Sequence, residues 1–261
     1  MVRPEIKFNK LHFKIISFSF AVIFFLPQNI TAFDFSRWDG LLKLYVSPKI
    51  ISGIHLNAVD YNKLSKDPVF NKLVRRLDNV DLSSLKNKNA RLAFWINTYN
   101  ILAIKIVLDH YPIESIKDAG SLLSPIWKKV AGSIGGTQRS LHEIEHDILR
   151  KIGDPRIHSA IVCASVSCPD LRRESFKEGY LDSQLNDQFI KFLGNPMKGL
   201  RVEKNKLYLS SIFKWFKDDF DLKGGIRVFL PRFVDNKTQK VIASRKLHVH
   251  YMDYNWNLNG F

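Results

Sequence analysis

The stretch Asn89-Ala90-Arg91-Leu92-Ala93-Phe94-Trp95-Ile96-Asn97-Thr98-Tyr99-Asn100-Ile101-Leu102 is apolar on almost every side when wound as a helix. Such a helix has no face to give to water, so it must run through the middle of a fold that surrounds it. Asn87 or Asn89 predicts its start as an N-cap, and Pro112 predicts its end after about His110. Asn97 and Asn100 are polar groups in this apolar setting, and each needs a hydrogen-bond partner, most simply the backbone of a neighbouring loop. A chain of 261 residues with 45% apolar side chains can build the required core without a disulfide or metal staple.

The remaining pattern predicts a helix-rich α+β fold in a single domain with a small sheet. Residues 57–78 carry apolar positions at three- and four-residue steps, which predicts an amphipathic helix. Residues 113–139, punctuated by Gly120, Gly132, Gly135 and Gly136, are expected as loop. Ser140 with Glu143 three residues on has the form of a capping box opening a helix that ends at Gly153. A strand is expected over 156–162, a helix starting at Pro169, and another over 181–193. Toward the end, 207–212 and 247–251 are expected as strands and 212–220 as an aromatic-rich helix.

The first 32 residues have the three-part layout of a secretory signal: a basic start (Arg3, Lys7, Lys10, Lys14), the uncharged run Ile15–Leu26, and small residues before Phe33. The expectation is therefore an exported protein, periplasmic or secreted, with residues 33–261 as the mature domain. Its removal lowers the formal net charge of +15 by three. The basic residues are scattered, with no aromatic-interleaved stripe, so nucleic acid is not expected as a partner. Anionic cell-envelope components such as lipid headgroups or cell-wall polymers are the partners such a charge suits. No motif calls for a cofactor.

The segments Phe94–Asn100, Leu141–Arg150, Ile157–Arg172, Tyr208–Phe216 and Asp253–Asn259 resemble, in order, the domain of unknown function numbered 547 (DUF547). The resemblance extends over roughly residues 50–260 and implies no established activity. Asn255 stands where an Asp is expected in the closing motif, and His142 where the family more often has a small polar residue.

Three chemistries compete for the candidate residues. The first is a cysteine-dependent hydrolase or acyl transferase with Cys163 or Cys168 as nucleophile, His158 or His146 as base and Glu145 as the orienting acid. Cys168, just before Pro169, is expected near a helix N-terminus that favours the thiolate. His158 lies five residues before Cys163, an odd spacing that on one straight strand points the two side chains apart, so a bend is required or His146 must serve. The second is a non-catalytic binding protein in which Cys163 and Cys168 form a structural disulfide. The third is a zinc hydrolase, because His142-Glu143-Ile144-Glu145-His146 satisfies the H-E-x-x-H pattern, with Glu174 or Glu178 as a further ligand. Arg150, Arg172 and Asn100 are the candidate substrate-binding residues, the arginines as bidentate holders of a carboxylate or phosphate.

Overall fold

A computed structural model of the chain describes Met1, residues 33–121 and residues 123–261; the expected signal segment lies outside the described residues. The apolar helix forms as expected. Asn87 caps it by accepting from the Ala90 N–H, and it runs from Lys88 to His110 with residues Leu92–Ile104 continuously buried.

The described domain opens with helix α1 (Ser36–Tyr45) and the antiparallel pair β1 (Val46–Ile51) and β2 (Ile54–Val59). The single helix expected over 57–78 is instead the end of β2 followed by α2 (Tyr61–Ser65) and α3 (Pro68–Asp78). Asp60 and Asp67 each accept from a backbone N–H and open a new helix, and Pro68 fits the first turn of the second. The apolar helix is α4. The region expected as loop holds an antiparallel hairpin, β3 (Val130–Ile134) and β4 (Thr137–Ser140), turning through Gly135 and Gly136. Both glycines adopt positive φ, which the two-residue hairpin turn requires.

The Ser140–Glu143 capping box forms, with the Glu143 carboxylate accepting from the Ser140 N–H at 2.7 Å and the Ser140 hydroxyl accepting from the Glu143 N–H. The helix it opens is wound as a π-helix over Glu143–Leu149, continues as α5 (Arg150–Ile152) and stops at Gly153, whose φ is +79°. The strand expected at 156–162 is absent. Pro155 and the Asp154 cap start a 3-10 turn over Pro155–Ser159 instead. The helix expected at Pro169 is likewise absent, so residues 160–177 carry both cysteines on an irregular loop.

Helix α6 (Leu181–Leu193) follows at its expected bounds, then β5 (Leu200–Glu203) and β6 (Lys206–Leu209). The aromatic helix is broken at Phe216 into α7 (Ile212–Trp215) and α8 (Lys217–Asp221). After α9 (Ile226–Phe229) and α10 (Asn236–Ala243), β7 (His248–Tyr251) joins β6 in parallel, giving the order β5-β6-β7. Among the described residues the fold is α+β with three small sheets.

Buried side chains gather in two main clusters. One surrounds α4, and the other is the aromatic packing of Phe189, Phe213, Phe220 and Phe229 between α6 and the short C-terminal helices. The final residues cross back over the cysteine loop: the Val166 N–H donates to the Asn257 carbonyl, Ser167 to Asn255, and Asn259 to Ala164.

Candidate functional site

A cavity of about 340 Å³ opens where the two clusters meet, with Tyr99, Ile161 and Cys168 from one and Ile212, Phe216 and Tyr254 bordering the other. Its wall brings together Cys163, Cys168, His158, His146 and Glu145, along with His142 and the indoles of Trp127, Trp215 and Trp256. These side chains come from α4, the π-helix, the 3-10 turn, the cysteine loop, the α7–α8 break and the C-terminal strap.

The cysteine loop is irregular, yet its backbone is tied down. Asn100 donates to the Ala160 carbonyl and accepts from the Val162 N–H, both at 2.9 Å. Asn97 makes the same two-sided clamp on Phe176. Asn100 is therefore spent on holding the loop and does not line the cavity; its place is behind the site rather than against a substrate. Ala164 adopts φ +57°, which turns the chain so that Ser165 Oγ comes 3.1 Å from Cys163 Sγ. Buried Lys198 holds the far end, donating from Nζ to the Cys168 carbonyl and to Asp170.

Both cysteines are free thiols, so the structural disulfide is not formed: the sulfurs lie 2.9 Å apart, well beyond the roughly 2.05 Å of a bonded pair. Cys163 Sγ is also 3.1 Å from Tyr254 Oη, and the Cys163 N–H donates to Cys168 Sγ. Burial opposes ionisation of Cys163, but hydrogen bonds from Cys168, Ser165 and Tyr254 overcome it and bring its pKa down to about 7. Cys168 moves the other way: burial, then the neighbouring Cys163, holds it well above the ordinary thiol range. The thiolate is thus favoured at Cys163 by directed donors, without the helix N-terminus expected at Cys168.

The two imidazoles take different states. His158 is buried, stacks on Phe216 at 3.9 Å and meets Asp219 Oδ2 through Nε2 at 2.7 Å. Burial outweighs the pull of Asp219 and keeps His158 below the ordinary histidine range, while Asp219, though penalised by its own burial, is held far below the usual carboxylate range by His158 and Arg150. A neutral ring facing a carboxylate must carry its proton on Nε2, leaving the lone pair on Nδ1, which has no partner among the described residues. His146 is lowered by burial, then by His142 and Arg150, and its Nδ1 lies 2.7 Å from Arg150 Nη1. Arginine only donates, so Nδ1 accepts and His146 keeps its proton on Nε2. His158 thus offers an acceptor and His146 a donor.

Glu145 is half-buried on the same wall, with Tyr99 Oη donating to it at 3.3 Å. Burial raises its pKa to about 7, so it holds a proton into the neutral range. Arg150 pairs through two nitrogens with Asp219, at 2.7 and 2.8 Å, and is a positioning group for both histidines. Arg172 lies elsewhere: it pairs with Asp187 and Glu174 in a separate surface pocket and does not join the cysteines.

The zinc arrangement does not form. Glu143, the general base of the H-E-x-x-H pattern, is turned back into its capping box, and on the π-helix the His142 and His146 rings stack face to face at 4.2 Å. Glu174 binds Arg172, Glu178 accepts from Asn87, and neither lines the cavity. Among the described residues no three ligating side chains converge.

Sequence reasoning missed Asp219, Tyr254, Ser165 and Tyr99. Asp219 sits in Lys217-Asp218-Asp219-Phe220-Asp221, where nothing separates it from its solvated neighbours. Tyr254 was inside the closing motif that carried the family resemblance, and that was its only signal.

No curated protein and no solved structure matches the chain. Residues 82–193 match the family described as "Protein of unknown function, DUF547". That segment contains α4, the π-helix, the 3-10 turn, the cysteine loop and α6, and hence each of Glu145, His146, His158, Cys163 and Cys168. The likeness to this family rests on that segment, 112 of the 261 residues.

Proposed function

We propose that the protein is a cysteine-dependent hydrolase or acyl transferase, exported and acting on a peptide or amide of the cell envelope, with residues 33–261 as its mature domain. The observation that carries this reading is the single cavity wall shared by a hydrogen-bonded Cys163 thiol, the Glu145 carboxyl and an Asp219-oriented His158. The Cys163 thiolate adds to the substrate carbonyl carbon, forming a carbon–sulfur bond. As the tetrahedral adduct collapses, the bond to the leaving group breaks and the leaving atom takes its proton from Glu145. The Glu145 carboxylate left by that transfer then accepts a proton from water, or from an acceptor nucleophile, as it attacks the thioester and releases Cys163, which restores the starting protonation. The N–H of His146 is a donor available to the negative oxygen of the adduct.

The rest of the wall favours an uncharged, apolar group beside the reacting carbonyl. Trp215, Tyr254 and Trp256 pack with centroids 4.6–5.7 Å apart, and Lys117 already places its ammonium over the Trp256 ring.

The test is acylation. The full chain, reduced and incubated with p-nitrophenyl acetate, is expected to release nitrophenolate with a burst and carry one acetyl group on the peptide holding Cys163. Cys163→Ala abolishes both. An adduct elsewhere, or a burst unaffected by Cys163→Ala, overturns the proposal.

A further inference from the structure

The paired sulfurs carry a second reaction that the acyl chemistry does not use. Both cysteines lie on the cavity wall, Cys163 partly exposed and Cys168 buried. Their sulfurs are 2.9 Å apart on a loop that already turns at Ala164 and, through the Cys168 N–H to Ser165 carbonyl bond, again at Cys168. Closing a bond between them needs an approach of about 0.9 Å. The two thiols are also differentiated in the way a two-step oxidation needs. One meets solvent and receives hydrogen bonds, and the other is protonated and shielded from direct attack.

We propose that Cys163 and Cys168 form a hydroperoxide-reducing pair, in which Cys163 is oxidised first and Cys168 resolves it to a disulfide that closes the site to acyl substrates. In the first step the Cys163 thiolate attacks the outer oxygen of a hydroperoxide. A sulfur–oxygen bond forms and the oxygen–oxygen bond breaks. The departing alkoxide or hydroxide takes a proton, for which Ser165 and Tyr254, each 3.1 Å from the sulfur, are the relaying hydroxyls. In the second step Cys168 sulfur attacks Cys163 sulfur. The sulfur–oxygen bond breaks, the thiol proton leaves with the hydroxide as water, and the disulfide forms. Two electrons pass from the thiols to the peroxide, giving an alcohol or water, and a thiol reductant restores both cysteines.

With its pKa at about 7, Cys163 is half thiolate at pH 7, against a few per cent for an ordinary thiol near 8.5, so oxidation should run about tenfold faster than for free cysteine. The two steps also predict that over-oxidation is suppressed while Cys168 is present.

The experiment treats the reduced full chain with one equivalent of hydrogen peroxide at pH 7 and reads free thiols and intact mass. Both thiols are expected to vanish together with a loss of about two mass units, reversed by dithiothreitol. In Cys168→Ser the reaction should stop at a dimedone-reactive Cys163. The idea is overturned if wild-type protein gains oxygen while Cys168 stays a thiol, if dimedone labels the wild type as strongly as the variant, or if oxidation is no faster than that of free cysteine. The wild-type readout alone decides the matter should the variant not fold. No acyl substrate enters the assay, so failure here leaves the acyl-transfer reading standing, and failure there leaves this one standing.

Discussion

Replacing Glu145 with Gln removes a carboxyl whose pKa the fold raises from an ordinary 4.5 to about 7 by burial. A carboxyl with a raised folded pKa contributes its full share of stability below the unfolded value and loses it as pH rises through the folded one. At pH 4 the side chain is protonated both folded and unfolded, and Gln is a neutral copy of it. At pH 8 the wild-type fold must hold a buried carboxylate, which the variant escapes. A difference of about 2.5 units at 1.36 kcal/mol each gives a relative gain for Glu145→Gln of about 3 kcal/mol between pH 4 and pH 8. Tyr99 can still donate to the Gln oxygen, and any cost of placing the amide nitrogen is the same at every pH, so it cancels from that difference. Urea unfolding of both proteins at pH 4, 6 and 8 measures it. If the stability difference stays flat across that range, or favours wild type more at pH 8 than at pH 4, Glu145 is not held protonated and cannot be the acid of the proposed step.

Tyr254→Phe removes a donor to Cys163 and should raise its pKa by about one unit, cutting iodoacetamide alkylation at pH 7 roughly fivefold; the pH profile of alkylation reads the midpoint directly. Asp219→Asn should cost about 2 kcal/mol at pH 7, since the carboxylate holds both His158 and Arg150. Because Asp219 has a depressed folded pKa, its contribution is present above the ordinary carboxylate range and is lost as pH falls through the folded value, so denaturation curves for the two proteins should converge in strong acid. Asn100→Ala leaves the Ala160 carbonyl and the Val162 N–H without their partner and should lower stability by about 2–4 kcal/mol, with a shifted Cys163 titration as the sign that the loop has moved.

What the sequence revealed depended on how local the signal was. The course of α4, its Asn87 cap and the demand of Asn97 and Asn100 for partners follow from one stretch of chain, and the structure meets that demand with loop backbone. The gathering of Glu145, His146, His158 and both cysteines on one wall was legible because those residues fall in two short segments flanking a single turn. Their local backbone was not. Apolar bias over 156–162 fits a strand, but Asp154 and Pro155 together favour a tight 3-10 turn, and that turn removes the odd-spacing objection to His158 and Cys163 sharing a cavity. Likewise H-E-x-x-H assumes an α-helix; the π-helical winding and the Ser140 cap redirect Glu143. Asp219 and Tyr254 arrive from 50 residues and more downstream, brought in by the break at Phe216 and by the C-terminal strap. No pattern of period two or 3.6 encodes contacts at that separation.

The thiols sit on a loop without regular structure, and this bears on how their geometry is kept. A buried irregular backbone must find partners for its N–H and carbonyl groups one by one. Asn100 from α4 supplies two, the strap supplies partners for Ala164, Val166 and Ser167, and Lys198 takes the Cys168 carbonyl. None of those three holds touches the cavity through the group it uses, yet together they fix the separation of the sulfurs and the placement of Tyr254 over Cys163. The same contacts that satisfy the core therefore set the chemistry of the thiol pair. It follows that a substitution behind the loop should alter thiol ionisation along with stability, whereas an equally destabilising change in the aromatic packing of α6, such as at Phe189, should lower stability with Cys163 still titrating near 7.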